Sequence, residues 1–204
     1  MKEFKNGLLI GLTLQLAIGP VFFFITNLVL QKTILDGFAG VLAVTMVDYF
    51  YIALAIFGIG RLLEHKKIKK IFGIISSIIL MVFGALIIKG LIGGVSASNI
   101  FETTTNISSS FTSVFFLTIS NPMTIVFFTS LFTAKAVEYN YTKKELIWFG
   151  IGTGFATFLF MGSSVVLFSL IKGSIPKLLI QILNGIVGCL LIGYGGLRLK
   201  KAIG

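Results

Sequence analysis

Acidic side chains are scarce in this sequence, with 7 Asp and Glu against 17 Lys and Arg, and it holds a single cysteine, a single histidine and three prolines. Each shortage removes a class of chemistry. Cys189 alone excludes an intramolecular disulfide and any paired-thiol relay. His65 lies in a charged segment outside the apolar runs, so a membrane Ser-His hydrolase has no base, and only one aspartate falls inside an apolar run, so an aspartyl pair is missing as well. A transition-metal centre needs clustered Cys, His or carboxylate ligands, and no phosphate-binding glycine loop precedes a lysine here. The chain is therefore expected to be no enzyme, and to hold neither a cofactor nor a metal.

Apolar residues are plentiful: 56% of the chain is hydrophobic, 12% is charged, and the mean hydropathy is +1.02. That is the composition of an integral membrane protein. Runs near the roughly 20 residues needed to cross a bilayer recur six times, over 7–30, 37–60, 70–92, 111–133, 146–171 and 177–197. The formal charge of +10 sits between these runs and is read as a topology signal, not as a nucleic-acid surface. With the N-terminus inside, Lys2, Lys5, Arg61, Lys66, Lys67, Lys69, Lys70, Lys135, Lys143, Lys144, Arg198, Lys200 and Lys201 are cytoplasmic. Only Lys32, Lys89, Lys172 and Lys177 fall outside, so both termini are expected in the cytoplasm. The first run is too long for a secretory h-region and lacks a cleavage site, so it is expected to stay attached.

Internal similarity organises these runs. Setting Gly73 on Gly185 brings Gly84 onto Gly196, and the same offset places Gly40 and Thr45 on Gly152 and Thr157; Pro20 matches Pro122 at a shorter offset. The chain thus reads as an all-α, polytopic membrane protein of two three-helix halves, 1–92 and 111–204, joined by an external polar linker over 93–110. Because three is odd, the second half must be inverted relative to the first, the plan of many secondary transporters.

Within the runs, Asp48 stands at the centre of the second, about 17 Å from either end at 1.5 Å per residue. An aspartate there costs at least about 2.5–3.5 kcal/mol on insertion scales. Two roles are open: a protonated acid bonded to a neighbouring helix, or an acid on a wetted path that exchanges a proton or holds an ammonium group. No Lys or Arg is expected at its depth. The pairs Gly19-Pro20 and Asn121-Pro122 interrupt the first and fourth runs. Proline is costly inside a helix but suits a helix that restarts, whose free N–H groups would favour a carboxylate. Gln15, Asn27, Thr45, Asn121, Thr124 and Asn184 could line the same space or bond one helix to another. The GxxxG patterns at Gly7–Gly11 and Gly150–Gly154 mark close helix approach, within the fold or in a dimer.

Taken together, Gly19-Pro20, the run DGFAGVLAVTMVDYFYIALAIFGIGRLLE from Asp36 and SFTSVFFLTISNPMTIVFF from Ser110 resemble the LysE/RhtB amino-acid exporters over essentially the whole chain. The resemblance implies a carrier of the bacterial inner membrane that expels amino acids or related metabolites, driven by the proton motive force, with a homodimer as its assembly. It carries site roles onto Gly19, Pro20, Asp48, Asn121 and Pro122. Met123 departs from it, because the family usually has lysine after Asn-Pro. A small-cation efflux carrier and a non-transporting membrane scaffold are the alternatives.

Overall fold

A computed structural model describes residues 2–16, 18–58, 66–92 and 107–203, and every regular element among them is helical. The helices are α1 (Lys2–Gln15), α2 (Pro20–Gln31), α3 (Ile34–Ile56), α4 (Lys66–Ile92), α5 (Ile107–Ile119), α6 (Pro122–Tyr139), α7 (Lys143–Ile171) and α8 (Lys177–Ile203), with a 3-10 turn at Lys172–Ser174. Local sequence sets several of the starts. Thr33 caps α3 and Thr142 caps α7 through reciprocal bonds with Asp36 and Glu145, which satisfies N–H groups that a helix leaves unpaired. Pro20 stands in the first turn of α2 behind its N-cap, Gly19. A proline is tolerated there because its missing N–H would have had no partner.

The first expected run is therefore two helices, α1 and α2, bent by 79°, and the fourth is α5 and α6, bent by 63°. The other four runs are single helices: α4 and α7 begin earlier than expected, α8 ends later, and α3 begins earlier, at Ile34, and ends at Ile56, short of the expected bound at 60. Three of them, α3, α7 and α8, are long and apolar enough to cross a membrane; each bent pair adds one more crossing if it counts as a single span, and α4 carries a shorter apolar stretch, Gly73–Lys89. Of the expected linker, 93–106 lies outside the described residues, whereas Ile107 to Ser110 form the first turn of α5.

Two glycine seams hold the bundle. α1 runs parallel to α7, so that Gly7 meets Phe149, Gly11 meets Thr153 and Ala156, and Gln15 meets Thr157. A Cβ on Gly7 would sit 2.0 Å from the Phe149 carbonyl oxygen, so any larger residue forces the helices apart. α4 runs antiparallel to α8, where a Cβ on Gly84 would meet the Gly188 carbonyl at 2.7 Å. The GxxxG patterns are thus used inside the fold. Between the seams, α3 lies antiparallel to α7 and parallel to α5, with Gly37 beside Val165, Ile52 beside Gly150 and Gly40 beside Val114.

The buried interior is apolar: Phe24, Ile25, Val41, Leu80, Val114, Leu117, Val165 and Leu191 form one cluster, and Val47, Tyr51, Ile125, Phe132 and Phe149 a second. The outside is apolar as well. Leu42, Met46 and Phe50 succeed one another down one face of α3, and Leu167, Leu170, Leu178 and Leu197 project from α7 and α8, all exposed. Apolar surface on this scale is unfavourable in water and suited to lipid.

Candidate functional site at the two helix breaks

Asp48 is buried within α3 at 6% exposure. Its carboxylate accepts a bond of 2.8 Å from the Thr157 hydroxyl on α7. Thr157 in turn accepts a bond of 2.7 Å from the side-chain amide of Gln15, the last residue of α1 before the first break. Three helices thereby meet in one polar chain, Gln15 to Thr157 to Asp48. The parallel register of α1 on α7 brings Gln15 to Thr157, and the antiparallel register of α3 on α7 brings Asp48 to the same hydroxyl.

The chemistry of that hydroxyl is restrictive, because it has one proton to give and two lone pairs to receive with. While Asp48 is ionised, Thr157 gives its proton to the carboxylate and receives from Gln15. Through that hydroxyl the acid is joined to the last residue of α1.

One turn beyond Asp48, Tyr51 donates from its hydroxyl to the Ile119 carbonyl at 2.6 Å. Ile119 is the last residue of α5, so α3 is tied to the edges of both breaks. Tyr51 also lies within electrostatic reach of Asp48 and of Arg198 on α8.

The breaks themselves face each other. Pro20 and Val21 from the start of α2, Asn121 from the residue before α6, Leu80, Leu117, Tyr194 and Arg198 line one cavity of about 20 Å³, room for roughly one water-sized group. Pro122 opens α6; its side chain and that of Met123 lie outside the described set. Gly19 has nothing within 4 Å of where its Cβ would be, so packing does not demand a glycine there.

The expected site residues therefore fall into two neighbouring groups. Asp48 and Gln15 share the polar chain, while Pro20 and Asn121 share the cavity. Thr45 is buried one turn before Asp48, and its hydroxyl has no hydrogen-bond partner among the described residues. Asn27 and Asn184 belong elsewhere: they bond to each other and to Gln31 and join α2 to α8. Among the described residues no three His, Cys, Asp or Glu side chains gather as a metal site would require.

Two residues differ from the sequence reading. Arg198, expected just beyond the last apolar run, lies inside α8, and both terminal guanidinium nitrogens are buried without a hydrogen-bond partner among the described residues. Sequence reasoning also passed over Thr157 as a site residue, although its alignment with Thr45 across the repeat singled it out. Tyr51 carried no comparable signal among so many aromatic residues.

The bundle, its apolar exterior and the broken helices define a multi-pass membrane protein. The chain belongs to the LysE type translocator family, whose model matches residues 12–200. It is thus a member of a transporter family. No curated protein and no solved structure matches the chain.

Proposed function

We propose that this translocator exports amino acids or related small metabolites across the bacterial cytoplasmic membrane, and that protons drive it through Asp48. The observation that carries the reading is the bonded chain from Gln15 through Thr157 to Asp48. A buried acid whose one side-chain bond passes through a hydroxyl to the edge of a helix break links charge at the acid to helix position. Intramembrane acids facing a bundle interior commonly mark such pathways.

The fold reading that goes with it is two inverted halves, α1 to α4 and α5 to α8, with both termini cytoplasmic. Helix directions support it. Six alternating crossings require the first and fifth to run parallel, the second and fourth parallel, the second and fifth antiparallel, and the third and sixth antiparallel. These are the directions of α1 with α7, α3 with α5, α3 with α7, and α4 with α8. Exchanging the halves also exchanges the α1·α7 pair with the α3·α5 pair, and both pairs pack.

The test is purified protein alone in vesicles, with a panel of labelled amino acids and an imposed pH gradient. Gradient-dependent flux is the expected result. No flux for any compound, under conditions where the protein is folded and inserted, would return the chain to the scaffold reading.

A further inference from the structure

A guanidinium is always charged and offers a flat fork of donors suited to two oxygens at once. Burying one without acceptors is costly, and the cost is normally met by a carboxylate or by backbone carbonyls. Arg198 has neither at Nη1 or Nη2 among the described residues, although both atoms are shielded from solvent. The guanidinium carbon lies 6.0 Å from the centre of the Tyr194 ring one turn earlier, which favours a cation over the ring face. Both residues line the cavity where the start of α2 meets Asn121.

We infer that Arg198 is the residue that binds the substrate's carboxylate in this carrier. This rests on the carrier reading above and extends it. The cavity sets a charged donor, an amide side chain and the N-terminal end of α2 around one small polar space, with Val21, Leu80 and Leu117 as the apolar wall. Each polar element favours an anion: the guanidinium by charge, the helix start by its dipole. At about 20 Å³ the cavity admits an oxygen-sized group but not a whole amino acid, so a substrate larger than that needs the two breaks to part. An amino acid entering between the breaks would meet Arg198 with its carboxylate. A metal cation would be repelled by the arginine.

Two measurements on the full-length protein test this. In vesicles, Arg198→Gln is expected to raise the KM for amino-acid flux by about 10- to 100-fold, the loss expected for a hydrogen-bonded charge pair, with Arg198→Lys falling between. On the wild-type protein, alanine, leucine, lysine and glutamate are expected to shield Arg198 from phenylglyoxal, read by mass spectrometry. Their α-amides should not shield it, and Arg61 provides the internal reference. The second measurement stands even if Arg198→Gln fails to fold. An unchanged KM in a folded Arg198→Gln, or equal shielding by acids and amides, overturns the inference. Wild-type vesicles that move no amino acid, while carboxylates alone still shield Arg198, would discard the carrier reading and leave the anion site in place.

Discussion

α3 carries two buried aspartates, and they are held in contrasting ways, one by several donors and the other by a single hydroxyl. Asp36 sits at the N-terminal end of the helix, where it accepts from the Thr33 backbone and hydroxyl at 3.2 and 2.6 Å and from the Ser110 hydroxyl of α5 at 2.6 Å. Its oxygens are occupied, and it has the favourable end of a helix dipole beneath it. Asp48 lies twelve residues on, in mid-helix and equally buried, but receives a single side-chain bond, from Thr157. A carboxylate surrounded by donors is fixed in one state. One that leans on a lone hydroxyl can change its charge or take a ligand without dismantling a helix end.

The largest expected effect comes from Asp48→Asn, which should leave the amount of protein in the membrane near wild type and cut gradient-driven flux by at least about 100-fold, within the usual range for a positioned acid or base. Flux assayed in vesicles at matched protein content checks it; a variant that transports normally removes Asp48 from the mechanism.

The converse substitution, Asp36→Ala, should lower stability by about 2 kcal/mol, from a lost helix cap and a stranded hydroxyl. Flux per folded molecule should be unchanged. Unfolding followed in detergent supplies the stability, and if Asp36→Ala also silences the folded protein, the contrast between the two acids is wrong. Thr157→Val sharpens it further. That change should reduce flux about tenfold, consistent with losing a bond to a charged group, whereas Thr157→Ser should retain most of it. Equal rates for Val and Ser would mean that the hydroxyl is packing alone. Gln15→Ala should have the smallest effect, about threefold, since it removes one neutral hydrogen bond of roughly 1 kcal/mol or less. It can be resolved from wild type in the same assay.

Much of this was legible in the sequence because lipid imposes strict rules. An aspartate inside an apolar run had to be buried, and Asp48 is. Gly-Pro and Asn-Pro had to break their helices, and new helices begin at Pro20 and Pro122. The glycine patterns had to bring backbones together, although only the structure shows that α7 is the partner of α1. What escaped were features set by register between distant helices. Nothing local to Thr157 says that one hydroxyl will receive from α1 and give to α3. Arg198 escaped for another reason: near the end of a span, followed by Lys200 and Lys201, it has the signature of a topology anchor. A long side chain can run back along its helix toward the interior as readily as out toward water, and hydropathy does not distinguish the two.

The seam between α1 and α7 has a mechanical consequence. With Gly7 against the Phe149 carbonyl and Gly152 against Phe4, the two backbones mesh so closely that sliding one past the other would collide within a fraction of a turn. α1 and α7 must then travel as one strut, and any swivel falls where α1 stops and α2 sets off at 79°. Opening the carrier would therefore resemble folding a jointed arm at the Gly19-Pro20 elbow, with the seam left intact throughout the cycle.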